Sequence, residues 1–433
     1  MSQTQIPAGS ALARKAFGVA LFARTISAPG FAKNLTGAAP QQAAAEAKLK
    51  LQTVADMPFV RVTDLSKSQG DAVSVDLIDT VTGKPIMGDR NAEGMGDQLA
   101  TSSMDIKIDL TTKVVDAGGK MAQQRTVHKL RGLAMAQLAG YFPRLKDQLS
   151  IVHLAGARGS MTGKDWVVPV SSDVDYADIM INPVLAPTYN RHYVVDTASV
   201  GNLIQGGQQL GSIDSTDLWT LDHVDALSVL LDDMGFPIQP VKFPDDPAAN
   251  DDPIKGILFL TPRQWNQLKT NASGATNNWR TMLQNAWARK TYGTKHPLFS
   301  GEPGMWNGIL IRQMPRWSVR HMPGDSTNII TAANQYTATE SAQVVNGALT
   351  AGFAVDRALL LGAQALADVY GKNSASGYYF SWHERPYNFE RALEVAGDAM
   401  GGMSKLRFKL KDELGNSVPT DNGVIVIDSA VKL

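Results

Sequence analysis

The chain has 433 residues, with 41 basic and 41 acidic side chains, a formal net charge of zero and no cysteine. That length allows roughly two or three compact units. The charge balance argues against a dedicated nucleic-acid binder, and the lack of cysteine removes disulfides, thiolate zinc sites and cysteine nucleophiles.

Residues 1–55 are alanine-rich and basic, with Arg14, Lys15, Arg24, Lys33, Lys48 and Lys50 and a first acid only at Glu46. Residues 11–25 have the spacing of a short amphipathic helix. Little after them has core periodicity, and Pro29-Gly30 and Gly37-Ala38-Ala39-Pro40 are breakers. The segment reads as an arm rather than a domain. A disordered tail stands beside that reading, and a transit peptide is a weaker third. The 16–23 stretch is too short and too poor in leading charge for a secretory signal. No apolar run approaches the ~18 residues of a membrane span. The expected compartment is therefore the cytosol.

Residues 71–77 alternate with Val73, Val75 and Leu77 on one side, and residues 104–110 with Met104, Ile106, Ile108 and Leu110. Both patterns predict strands that are apolar on one face only. Gly83, Pro85, Gly88, Gly94 and Gly96 fall between them, which predicts a two-stranded ribbon with a long tip. An isolated ribbon is marginal in water. It needs another surface to lie on, and a neighbouring subunit is one such surface.

Residues 123–152 predict the dominant element. Val127, Leu130, Ala134, Leu138, Tyr141, Leu145, Leu149 and Val152 recur in steps of three and four, the period of an amphipathic helix. At about 1.5 Å per residue the rod would span roughly 45 Å. Pro143 either kinks it or starts a second helix; the unbroken phase of the stripe favours a kink. Arg125, Lys129, Arg131, Arg144 and Lys146, against Asp147, make a polar face that is expected to be solvated rather than a nucleic-acid footprint.

Residues 165–212 are irregular, with Pro169, Pro183 and Pro187, and read as an excursion. Residues 221–234 predict a helix capped by Thr220 and stopped by Gly235 and Pro237. A buried strand is expected at 254–260. A capping box from Thr261 to Gln264 then opens a helix with proline at its first position. Residues 278–290 predict another helix, and 309–311 a strand. Trp265, Trp279, Trp287, Trp306 and Trp317 crowd this region and read as core. Further on, 356–361 predicts a strand, 363–370 a helix ended by Gly371, and 378–382 and 394–396 short strands. Residues 405–410 and 424–427 predict a terminal pair, the second strand covered on both sides.

Signals for catalysis are poor. Gly163-Lys164 lacks the first glycine of a phosphate loop and has Asp165 where the magnesium-binding hydroxyl belongs. Gly206-Gly207 to Gly211 has the wrong spacing for a dinucleotide turn. The scattered histidines lack zincin spacing, and no serine sits in a nucleophile elbow. The best cation candidate is Asp245, Asp246, Asp251 and Asp252, for which a solvated acidic loop is the preferred reading. The runner-up function, a metal-dependent hydrolase, would use these aspartates. No catalytic, cofactor-binding or metal residue is assigned.

Four stretches carry a resemblance by their order and spacing: 118–125 leading into the long helix and 153–159 (His-Leu-Ala-Gly-Ala-Arg-Gly); 258–265 (Leu-Phe-Leu-Thr-Pro-Arg-Gln-Trp); 297–301 with Trp306-Asn-Gly308; and 358–365 (Ala-Leu-Leu-Leu-Gly-Ala-Gln-Ala). From about residue 58 to the C-terminus the chain resembles the major capsid proteins of tailed bacteriophages, in the branch typical of short-tailed phages. The resemblance implies an α+β fold of the Hong Kong 97 type. It divides into an N-terminal arm at 1–56, an extended loop at 57–116, and a peripheral domain at 117–213 with its spine helix and a possible insertion at 160–213. A mainly axial domain at 214–345 follows, with 346–433 completing both domains.

It also implies a structural protein, not an enzyme, that assembles with itself as hexamers and pentamers into an icosahedral shell around double-stranded DNA. Scaffolding protein, portal and a decoration protein are the implied partners, with no membrane. The implied location is the virion, reached through the host bacterial cytoplasm. DNA contact is expected to be electrostatic, through the arm or the basic helix face. A cargo-holding shell of the same fold is the nearer alternative. No motif here supports covalent cross-linking or a built-in scaffolding segment.

Overall fold

A computed structural model describes residues 31–37, 53, 56–63, 71–78, 86–87, 101–126, 130–197, 203–242, 254–270, 304–371, 380–411 and 416–433. Two sheets organise them. The larger has eight strands, running Leu203–Gln205, His192–Val195, Val424–Lys432, Phe353–Leu361, Gly256–Leu260, Ile309–Gln313 and Gly304–Trp306, with Arg320–His321 paired to Phe353–Leu361. Its central strands are buried along nearly their whole length, so both faces must be covered, as their unbroken β-branched runs require.

Side-chain alternation sorts those faces. Ile257, Phe259, Leu359, Leu361, Val424 and Val426 share a core with Phe31, Leu35, Ile151 and Leu154. Their sequence neighbours Leu258, Leu260, Leu360, Ile425 and Ile427 share the other core with Leu221, Val224, Leu227, Trp265 and Leu268. Helices Leu221–Asp233 and Pro262–Thr270 thus cover one face. The C-terminal end of the long helix covers the other, with the short helix Phe31–Leu35. Both expected caps form. Thr261 N–H donates to Gln264 Oε1 (3.0 Å) and Gln264 N–H to Thr261 Oγ1 (3.3 Å), while Thr220 pairs reciprocally with His223.

The second sheet has five strands. Phe59–Val62 runs parallel to Leu366–Tyr370, and the 14-residue strand Ala392–Lys405 pairs with Leu366–Tyr370, Phe380–Tyr387 and Asp109–Gly119. The long helix, Leu130–Ala155, rests on both sheets. Ala134, Met135, Leu138 and Phe142 pack on Trp382, Val395 and Phe380 of the second sheet, and Ile151 and Leu154 reach the first.

Several expectations are corrected. The long helix begins at Leu130 and ends at Ala155, and Lys120–Arg125 is a separate short helix. The stripe runs unbroken through Pro143, which lies inside one helix. Gly156 at φ +66 stops it, and glycine suits that place because a Cβ would meet Leu185 O at 2.4 Å. The expected helix at 363–370 is instead the strand Leu366–Tyr370. Gln364 at φ +53 breaks any helical run, and pairing on both edges overrides alanine and leucine propensity. The strands at 405–410 and 424–427 do not pair with each other. Arg407–Lys411 pairs with Ser417–Asp421, and Val424–Lys432 with Phe353–Leu361. The irregular excursion supplies His192–Val195, a parallel partner of the C-terminal strand. The expected helix at 278–290, with Trp279 and Trp287, lies outside the described residues.

Candidate functional site

The densest polar chemistry lies at the junction of the long helix with the first sheet. Arg357 is fully buried, grips Asp428 with two hydrogen bonds (2.8 and 2.9 Å) and donates a third to Ala155 O, the helix's last carbonyl (2.9 Å). A cation at that end complements the helix dipole. His192 Nε2 lies 2.7 Å from Asp428 Oδ2. Burial alone would push the Asp428 carboxyl up, but Arg357 and His192 together outweigh it and hold it well below the usual range. Beside it, Lys405 and Arg407 both bind Asp421 at 2.7 Å, and burial lowers the Lys405 ammonium to about 8. These groups are paired with one another and, Arg407 aside, fully buried, so the network is a frame rather than a reaction centre.

Two other clusters deserve chemical scrutiny, and neither has the geometry of catalysis. Ser381 Oγ and Asp398 Oδ2 lie 3.1 and 3.0 Å from His383, but both contact the same nitrogen, Nε2. A nucleophilic triad needs opposite ring nitrogens for base and orienter. A cavity of about 320 Å³ lies between the long helix, the arm and the second sheet, lined by Phe142, Leu145, Met180 and Met400. At its polar end Lys146 (2.6 Å), Tyr370 (2.7 Å) and Arg61 (3.8 Å) all turn to Asp368. Among the described residues no group of three or more His, Asp or Glu could hold a metal. Asp245, Asp246, Asp251 and Asp252 lie outside them.

Of the polar face expected to be solvated, Arg131, Lys146 and Asp147 are engaged instead, while Arg125 is exposed in the preceding short helix and Lys129 lies outside the described residues. Arg131 makes a bidentate pair with the buried Glu384 (2.6 and 2.8 Å), which also accepts from Trp382 Nε1 (2.9 Å). Lys146 binds Asp368, and burial lowers its ammonium pKa. Asp147 accepts the N–H groups of Phe31 and Ala32, each at 3.1 Å. It thereby caps the first turn of the arm's helix from another element. The partners sit more than 100 residues away in the chain, which hid them from sequence periodicity. The arm itself is anchored in the core: Leu35 is fully buried, and Phe31 packs edge-on against Phe259 and Phe59.

The ribbon pairs Ala72–Ile78 with Thr101–Lys107. Its apolar face does not wait for a neighbour at this end. Val73 and Ile106 bury against Val60, Val369, Leu406 and Phe408 of the same chain. The buried Asn182 side chain completes the docking, accepting from Lys107 N–H (2.9 Å) and donating to Lys107 O (2.9 Å) as a strand would. Gly402 lets this approach happen, since a Cβ there would meet Lys107 O at 2.0 Å. The 153–159 motif has an equally local reason: Gly159, at φ +68, lies against the Arg320 backbone, and Arg158 stacks on Trp166 at 3.5 Å. Outward-facing apolar side chains remain on the second sheet, its turns and the adjoining helix Lys120–Arg125, including Leu110, Val114, Phe389 and Met121.

A model of the family described as phage capsid protein matches residues 5–433. The chain belongs to that family. Its fold is the Hong Kong 97 type that the sequence motifs imply. The capsid of Ralstonia phage GP4 superposes with a TM-score of 0.65 at 22% identity, covering 94% of this chain and 96% of that one. The Cyanophage Pam1 capsid gives 0.56 at 18% identity, with 92% and 95% covered. The head of Helicobacter pylori bacteriophage KHP40 gives 0.54 at 15%, with 92% and 94% covered. No curated protein sequence matches significantly. The molecule is a major capsid protein, a structural component of the phage shell rather than an enzyme. Among the described residues of this capsid protein, no helix is long and apolar enough to cross a membrane.

Proposed function

We propose that this capsid protein assembles as hexamers and pentamers into an icosahedral shell enclosing phage double-stranded DNA, with a scaffolding protein and a portal during assembly and a decoration protein on the finished surface. The family match over residues 5–433 carries the reading. The second sheet with the first half of the long helix is the peripheral domain in this proposal, and the eight-stranded sheet is the axial domain. Of residues 57–116, expected as the extended loop, Phe59–Val62 and Asp109–Gly119 are strands of the second sheet; the stretch between them is the extended loop in this proposal, its base resting on its own body and its 79–100 segment assigned to a neighbour. Many modest interfaces closed by symmetry then build a strong shell.

DNA contact is assigned to the arm and not to the long helix. Arg131 and Lys146 of the helix face are already paired with Glu384 and Asp368. The arm carries Arg14, Lys15 and Arg24 ahead of the buried helix, and sequence-independent phosphate contact needs such cations. Two measurements test this. Co-expression with the scaffolding protein should give closed particles in negative-stain micrographs; small oligomers alone would overturn the shell. Removing residues 2–28 spares the buried helix and should leave particles that hold DNA less well as salt rises, whereas unchanged retention would move DNA contact elsewhere.

A further inference from the structure

The cavity beside Pro143 differs in character between its body and its end. The body is apolar, lined by Phe142, Pro143, Leu149, Met180, Met400 and Met403. Three of these are methionines, flexible and polarisable side chains that mould to the shape of a guest. The volume of about 320 Å³ lies at the small end of the roughly 300–1,000 Å³ that ligand pockets occupy. Ala32 of the arm's helix, the long helix and strand Ala392–Lys405 all contribute to the wall, so a guest touches three parts of the fold at once.

The end of the cavity carries charge. Lys146 Nζ lies 2.6 Å from Asp368 Oδ2, and the Tyr370 hydroxyl donates to the same oxygen (2.7 Å). Arg61 Nε stands 3.8 Å from it, beyond hydrogen-bond reach, and is buried with no hydrogen-bond partner among the described residues. Both cations lie over the Tyr370 ring, at 4.3 and 5.2 Å from its centre. Asp147, the other described acid in the wall, already accepts Phe31 and Ala32 N–H with its two oxygens. Among the described residues, two cations therefore share one carboxylate, and a buried guanidinium donor is left without an acceptor, which is unfavourable. Burial outweighs Asp368 and sets the Lys146 ammonium below its ordinary value, a second sign of the same shortage of negative charge. We propose that this cavity binds a small monocarboxylate amphiphile, with its acidic head on Arg61 and Lys146 and its alkyl chain among the methionines. A neutral guest leaves Arg61 unmatched, and a cationic one adds to the excess. The site belongs to the single subunit and stands apart from the shell reading.

Decanoate is the probe, titrated into the full-length, unassembled subunit. It should bind saturably, one per subunit, and raise the melting temperature as its concentration rises. Decanol should bind more weakly, and decyltrimethylammonium should not bind. Arg61→Gln removes one cation and should lower decanoate affinity on the order of tenfold, as loss of a charge-assisted contact predicts, with an unchanged circular dichroism spectrum. Ala399→Leu narrows the apolar body and should weaken decanoate and decanol alike. Equal binding of the three amphiphiles, or unchanged decanoate affinity in R61Q, overturns the proposal. The cysteine-free sequence allows one more arm. In Ala399→Cys, decanoate should slow maleimide labelling of free subunits. Labelling that ignores decanoate but is blocked in assembled particles assigns the cavity to a neighbouring copy and overturns the amphiphile.

Discussion

Arg357 and Asp428 face each other in a site without solvent, so each depends on the other for its charge. Replacing Asp428 with Asn leaves a buried guanidinium half-matched. The expected loss is about 3–5 kcal/mol, read as a lower urea midpoint for the unassembled subunit. Protonation acts on the same core. Burial lowers His153, His223 and His321 from an ordinary 6.5 to about 4. As pH falls through 6.5 the unfolded chain takes up protons that the native chain refuses. Stability should therefore drop between pH 6.5 and about 4, by up to roughly 3 kcal/mol per histidine. Asp428 is also held below its ordinary value, here by its cationic partners, so its contribution too is lost with acid, but only as pH falls below the ordinary carboxylate range. Urea titrations at pH 7 and pH 5 should show the difference, and His321→Asn should flatten it. Sequence reading left these histidines as scattered residues, because their burial depends on strands and helices distant in the chain.

Asp147 illustrates the next scale, where one element holds another. Asp147→Ala leaves two buried N–H groups of helix Phe31–Leu35 without their acceptor. The expected cost is about 1–3 kcal/mol per group, and protease should then cut near residues 31–37 sooner than in wild type. Asp147→Asn keeps one acceptor and should lose less. At the helix's far end, Gly156→Ala must force a Cβ against Leu185 O at φ +66. Soluble yield and melting temperature should both fall.

Elements with a strong period of their own were legible in the sequence: the 221–234 helix, the capped start at Thr261, the alternation at 71–77 and the stripe of the long helix. The strand Leu366–Tyr370 was not. Leu366 and Ala367 continue the helix-favouring run before them, and the pairing with Phe59–Val62 and Ala392–Lys405 on its two edges, which makes it extended, is set by distant residues. The pairing of Val424–Lys432 was missed for the same reason: an apolar run announces burial but does not name its neighbour.

Across the whole molecule, the ribbon separates folding from assembly. Its base has a partner in Val60, Val369 and Phe408. A short turn in place of residues 79–100 should therefore leave the subunit's melting temperature within a few degrees of wild type while abolishing closed particles. Equal particle yield would show that the ribbon's far end does not join subunits. The shell-protein reading was legible because four short stretches stand in a telling order and spacing along the chain. What the motifs could not reveal is how much of the arm and ribbon belongs to the subunit's own core.

The long helix touches one sheet with its first half and the other with its last turns, and Pro143 sits between those seats. A proline offers the carbonyl of Ala139 no amide to bind, so the rod is softest where its two supports diverge. If the sheets tilt against each other, the strain concentrates in that turn, and neither core has to yield. The subunit thus contains a flexure, stiff along its length and compliant across one joint, by which identical copies could fit seats of differing curvature.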